Sequence, residues 1–560
     1  MKSSFSYEPR GAERPRSATG GGRHAEYAPG QGQLPVYSQN GESPELKADQ
    51  RKDASGEPPL DDIPPPVVEP RKGLAGVGLI FACGMALFSD GYVNNASGAV
   101  VSIFEIIYSG KESESEEDNF ESRFSALVFA GTVVGMLVFG VLVDRVGRKF
   151  GMIFASIWLS FWSVIISGSW GVTHNNRGSL FAQLEAFRFL QGLAIGAEYP
   201  SGSVAAAENS ESSSVKSSRQ QMYFIWATNT MIDIGFIIAP LVATILYYIF
   251  GPGHLDWVWR LTLGLGAIPP LLVLPWRLVM RESEHYRRGA IKKNVPWLLI
   301  FRKYGIRLIA TCLVWFVYDY VSYPSSIFSG MFIRQVNGGE DLGKTLGWQT
   351  LLTVWYLPGT FGGAFISQAI GPKYTMILGS ALQGVLAFIM AGLYPHLKHN
   401  VGGTIVVYGL FLMFGEIGLG NNLGLVASKV IGPTAVRGTL YGIAAAIGKV
   451  GAFSGSYAYP QIREDLGGKD SNLGNEGPFY IAGSLAFFVC VLVALFIPPV
   501  RMDGMNQEDE VFLQYLREHN YDFSNIGADE KEFGRQDDKK HGDAVAAIPD
   551  AGVSSLDYHA

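Results

Sequence analysis

Twelve apolar stretches, each about long enough to cross a bilayer, constrain this chain more than any other feature. They run over 74–103, 124–143, 150–170, 179–206, 223–249, 257–279, 305–329, 346–370, 374–395, 402–430, 437–460 and 479–500. A spanning helix needs about 20 mostly apolar residues. Hydrocarbon offers no partner for a free backbone N–H or C=O, so such segments satisfy themselves as helices. Several run past about 25 residues, which implies tilt or extension beyond the bilayer. The expected fold class is therefore an all-α membrane protein of twelve transmembrane helices. Charged residues are 17% of the chain, against about 25% in soluble domains, and they collect at the two ends.

Composition also excludes other classes. No basic surface patch is visible, so no nucleic-acid partner is expected. Cys83, Cys312 and Cys490 all fall inside apolar segments, so neither a disulfide framework nor a metal site is expected, and no cofactor. Residues 1–72 are rich in Gly, Pro, Ser and charge and lack a signal peptide's apolar region, so they read as a disordered cytosolic tail. The loops "DRVGRK" and "MRESEHYRRGAIKKN", with Arg437, carry the positive charge and belong in the cytosol. The alternate loops, such as "KESESEEDNFES" and "NGGEDLGK", are acidic or nearly neutral. Both termini are thus expected in the cytosol. The domains read as the N-tail 1–72, a six-helix bundle 73–280, a cytosolic linker 281–304, a second bundle 305–500 and a cytosolic C-tail 501–560. In the C-tail, "EDEVFLQYLREHNYD" reads as a short amphipathic helix.

The two halves carry an internal repeat. "MALFSDGYVN" overlays "VWFVYDYVSY", placing Asp90 on Asp319, and "GLAIGAEY" overlays "GEIGLGNN", placing Glu198 on Asn421.

An intramembrane carboxylate is costly, about 2.5–3.5 kcal/mol on insertion scales, and marks function by default. Asp90, Glu198, Asp233, Asp319 and Glu416 all lie inside apolar segments. Trp315, Asp319 and Tyr323 share one helical face at i, i+4 and i+8, and Pro324 is expected to bend or break that helix. Lys449 lies about 18 Å along the axis from Arg437, too deep to snorkel. It must pair with Asp319 or Asp90, face water, or bind an anion. Buried acids that take up protons, set around one lysine, suit a proton-coupled anion carrier. Arg188, Gly192 and Gly196 have a spacing that lets helices pack closely.

"GVLVDRVGRKFG" at 140–151 resembles the loop 2–3 signature of the major facilitator superfamily, with Gly140, Asp144, Arg145, Gly147, Arg148 and Lys149 in register. The resemblance implies a gating role, with Asp144 at a helix N-terminus or paired with arginine, locking the halves on one side. The second-half copy, "GGAFISQAIGPK", has Gln368 at the acid position. More narrowly, "GLAIGAEYPSGSVAAAE", "WFVYDYVSY" and "AAIGKVGAF" resemble the phosphate:proton symporter family, and "FSDGYVNN" brings the chain closest to the fungal glycerophosphoinositol permeases.

That resemblance implies substrate binding by Tyr199, Asn229, Trp315, Asp319, Tyr323, Asn421, Asn422 and Lys449. Proton coupling is expected through Asp90, Glu198, Asp319 and Asp233, Asp233 on the ground of its place inside an apolar segment. Two departures stand out: Glu198 replaces an aspartate, and "GMIFASIWLSFWS" lacks the acid that phosphate members carry on helix 3. Both disfavour inorganic phosphate as the main substrate. The expectation is a monomeric plasma-membrane symporter of protons with an anionic glycerophosphodiester, glycerophosphoinositol first. The alternatives are inorganic phosphate, a small carboxylate or free inositol as cargo, or a nutrient receptor that transports nothing. No nucleophile–base pair, metal cluster or phosphate-cradling loop suggests an enzyme.

Overall fold

The computed structural model describes residues 74–108, 114–171, 177–211, 219–283, 285–286, 295–336, 341–468, 470–501 and 504–521. The N-tail 1–72, part of the linker and residues 522–560 of the C-tail lie outside the described residues. In chain order the long helical runs are α1 (Val77–Tyr108), α2 (Phe120–Arg145), α3 (Arg148–Ser167), α4 (177–210), α5 (Gln220–Phe250), α6 (Pro252–Val279), α7 (Trp297–Ile327), α8 (342–370), α9 (Pro372–Leu397), α10 (Val401–Lys429), α11 (Arg437–Asp465) and α12 (Asn472–Phe496). A shorter helix, α13 (Gly504–Glu518), follows where the C-tail pattern predicts one.

Eight of these helices are apolar and long enough to cross a membrane. The other four, α4, α7, α8 and α11, are more polar, and they include the helices that carry Arg188, Glu198, Asp319 and Lys449. They too keep an exposed apolar side, with Ile306 and Ile309 on α7 and Phe365 on α8. α2 packs along both α4 and α11, α7 along α11, α1 along α5, and α9 along α12. The two halves meet where α2 faces α11, α5 faces α8 and α1 faces α7. Large exposed apolar residues such as Phe161, Leu272 and Leu495 stand on the outside, the surface that lipid must cover.

Small residues set the close approaches. A Cβ on Gly192 or Gly196 would strike the backbone carbonyl of Val128 or Thr132 on α2, so these glycines serve packing. The repeat survives in the backbone. Gly147 and Gly371 occupy the corresponding loops of the two halves with φ of 127° and 88°, a region that only glycine adopts cheaply. Each leads directly into the following helix.

Two helices widen locally. α4 makes π-helical turns over Tyr199–Ser203 and α10 over Glu416–Gly420, a distortion often found at functional sites. Pro324 does not break α7, which runs through it to Ile327, pauses at Phe328 and resumes as Ser329–Val336. The Tyr320 carbonyl that Pro324 cannot bond lies against Gly455 of α11.

Candidate functional site

Between the halves lies a cavity lined from both sides. The N-terminal half contributes Tyr199 from α4 and Asn229, Asp233 and Phe236 from α5. The other half contributes Trp315, Tyr318, Asp319 and Tyr323 from α7, Tyr356 from α8, Glu416 and Asn421 from α10, and Tyr441 and Lys449 from α11. Most of the expected binding residues therefore meet at one cavity. Asn422 faces elsewhere: it accepts from Ser367 Oγ at 2.6 Å and donates to the Gly418 carbonyl at 2.6 Å, tying α10 to α8.

Lys449 anchors one wall. Its Nζ lies 3.5 Å from Asp319 Oδ2 and 3.6 Å from Asp90 Oδ2, and it donates to the Tyr323 hydroxyl. The Tyr199 and Tyr323 hydroxyls both donate to Asp90 Oδ2, at 2.6 and 2.8 Å, and Asn94 donates to Asp90 Oδ1 at 2.7 Å. Asp90 is thus saturated by donors from α1, α4 and α7. Asp319 Oδ2 has the ion pair but no hydrogen bond. The two acids that the repeat superposes converge on one lysine. Trp315 stands edge-on to Tyr441, with centroids 5.7 Å apart, and packs on Gly448, where a Cβ would meet the indole at 2.5 Å.

A second polar group joins α5, α7, α8 and α10. The Asn229 amide donates to Glu416 Oε2 at 2.8 Å, Asn421 Oδ1 at 3.1 Å and Asp233 Oδ2 at 3.2 Å. Two amide hydrogens thus face three acceptors. The Tyr318 hydroxyl donates to Glu416 Oε1 at 2.7 Å, and Thr360 donates to Asn421 Oδ1 at 3.0 Å. Glu416 opens the π-helical turn of α10, a geometry that its sequence context does not announce. Tyr318, one residue off the Trp315–Tyr323 face, was not among the expected contacts.

Glu198 points away from the cavity. Arg277 grips it with two hydrogen bonds, one of them 2.7 Å to Oε2. Arg277 also donates to the carbonyls of Met152 at 2.9 Å and Cys83 at 3.0 Å. This pair is fully buried. Arg277 escapes a sequence reading because it lies near the end of α6, where an arginine reads as snorkelling to the interface.

The loop 2–3 residues gather where α2 meets α11. Asp144 accepts from the Gly438 N–H at 2.9 Å and from the Thr439 N–H and Oγ1, both at 2.7 Å. It therefore caps the start of α11 across the inter-half boundary. Arg148 reaches Asp144 at 3.1 Å and Glu208 at 3.0 Å. Glu208 lies 3.7 Å from Arg437, and Glu211 lies 2.6 Å from Lys429, so further ion pairs link the halves at this face. Gly140 leaves room for the Gly438 carbonyl. Lys149 donates to the Leu278 carbonyl at 2.7 Å, and Glu282 accepts from the N–H groups of Arg148 and Lys149, at 3.1 and 2.9 Å. Burial pushes the Glu282 carboxyl above its usual range. Arg145 is exposed.

The profile of the family described as sugar (and other) transporter matches residues 79–294 and 284–512. The chain belongs to that family. This major facilitator protein is a membrane transporter, not an enzyme. It is 39% identical to the glycerophosphocholine permease GIT4 of Candida albicans over 82% of this chain and 86% of the relative. It is also 39% identical to the major glycerophosphoinositol permease GIT3 of the same organism, over 82% of this chain and 85% of the relative. Among solved structures, the proton:xylose symporter XylE superposes with a TM-score of 0.66, covering 78% of this chain and 98% of that one, at 16% identity. The transporter thus shares its fold with XylE, and its cavity occupies the space between the two six-helix halves.

Proposed function

We propose that this transporter imports a glycerophosphodiester together with protons, by alternating access across the plasma membrane, with both termini in the cytosol and the monomer as the working unit. The observation that carries the reading is Lys449, a buried ammonium held 3.5 and 3.6 Å from two carboxylates at the cavity wall. A phosphodiester competes with these carboxylates for the lysine. Whichever acid is displaced must take a proton to stay buried, because an unpaired charge there is costly. Proton and anion uptake are thereby linked. Tyr199, Tyr323, Asn229 and Asn421 supply hydrogen bonds to the diester, and Trp315 packs on the glycerol. Asp319, whose Oδ2 accepts no hydrogen bond, is the acid that releases Lys449, and Asp90 keeps its tyrosine donors. Glu198 serves as the fixed counter-ion of Arg277. The loop 2–3 network closes the cytosolic face, and its opening releases cargo. Glycerophosphoinositol and glycerophosphocholine, the cargoes in the names of the two relatives, both fit a carrier of this kind.

The experiment is uptake of labelled glycerophosphodiester by cells lacking their own uptake, with surface abundance measured alongside. Wild-type accumulation should collapse with a protonophore. Asp319→Asn should reach the surface, lose accumulation and retain exchange, since exchange need not return the proton. Accumulation that ignores the protonophore and survives Asp319→Asn would refute proton coupling.

A further inference from the structure

We infer that Asp233 and Glu416 form a head-group subsite for an organic cation, so that the cavity favours zwitterionic glycerophosphodiesters, with phosphate at Lys449 and ammonium between the two acids. This rests on the diester reading above and names the head group it leaves open.

Charge comes first. Among the described residues the ion-pair partners of Lys449 are Asp90 and Asp319. Asp233 and Glu416 are buried and line the same cavity, and among the described residues neither makes a direct salt bridge, Lys449 attracting Glu416 only from a longer distance. Their hydrogen-bond donors, the Asn229 amide and, for Glu416, the Tyr318 hydroxyl, are neutral and cannot balance a charge. Asp319 Oδ2, on a residue 1% exposed, also lines the cavity without a hydrogen bond. Four buried carboxylates, Asp90, Asp233, Asp319 and Glu416, thus surround one ammonium. A phosphodiester alone adds negative charge to that excess, whereas a cationic head group offsets it. A polyol head group brings hydroxyl donors but no charge.

Shape agrees. The rings of Phe236, Tyr318 and Tyr356 line the same cavity as the acids, and Phe236 and Tyr356 lie 5.5 Å apart. Aromatic faces beside carboxylates are the environment that a quaternary ammonium, which has no N–H to donate, binds best.

The test compares labelled glycerophosphocholine with labelled glycerophosphoinositol in cells expressing wild type, Asp233→Asn or Glu416→Gln, at measured surface abundance. Wild type should show the lower KM for the choline diester, and excess tetramethylammonium should inhibit its uptake. Each neutral variant should raise the ratio of choline-diester KM to inositol-diester KM by about tenfold or more, the worth of a desolvated cation contact. Wild-type preference for the inositol diester overturns the subsite while leaving diester transport standing. So does a KM ratio that neither variant moves at normal abundance. Uptake of inorganic phosphate with neither diester carried overturns both readings. Wild-type selectivity and tetramethylammonium inhibition decide the matter even where a variant fails to reach the surface.

Discussion

Replacing Asp144 by asparagine should loosen the closed face of the transporter. Asp144 Oδ1 accepts from the Gly438 N–H and from Arg148, and Oδ2 accepts twice from Thr439. An asparagine keeps one acceptor oxygen and turns an NH₂ toward the donors that the other oxygen served. Two charge-assisted bonds are lost at about 1.5 kcal/mol each or more, and so is the negative charge at the start of α11. The sum is about 3 kcal/mol, or about a hundredfold in the equilibrium between closed and open at this face. Arg148 keeps Glu208, so the fold itself should hold. The assay is a distance distribution between spin labels at Val146, which is 57% exposed at the end of α2, and at Arg501, exposed beyond α12. Wild type should give predominantly the short distance and Asp144→Asn a dominant longer one. An unchanged distribution in a normally folded variant would refute the claim that these bonds hold the face shut.

Lys449→Ala should abolish diester uptake and lower surface abundance, because it strands Asp90 and Asp319 together at a cost of about 3–5 kcal/mol. Lys449→Arg should not restore uptake, since a planar guanidinium cannot reproduce a point contact to Tyr323 and two carboxylates; wild-type KM in either variant would remove Lys449 from the site. Glu198→Gln should cut the amount of monodisperse protein in size-exclusion chromatography by stranding Arg277, and adding Arg277→Met should recover it. If the double variant also keeps protonophore-sensitive accumulation, Glu198 carries no transported proton; if accumulation is lost at normal abundance, it does.

The transmembrane pattern and the polar residues inside it were legible in the sequence, because hydrocarbon permits few exceptions. Twelve apolar stretches meant helices. Trp315, Asp319 and Tyr323 declared a shared face through helical periodicity alone, and all three line the cavity. The loop 2–3 pattern offered Asp144 a helix start or an arginine, and it takes both. The sequence offered Asp319 or Asp90 for Lys449, and the fold gives it both; the other long-range pairings only the tertiary structure decided. Glu198 and Arg277 are 79 positions apart, and Asn229 and Glu416 are 187 apart. Periodicity tells which way a side chain points on its own helix but not which helix stands opposite. The π-helical turns of α4 and α10 begin at Tyr199 and Glu416, and both residues line the cavity. Glu198, one residue before Tyr199, is held instead by an arginine that its sequence neighbourhood gave no reason to suspect.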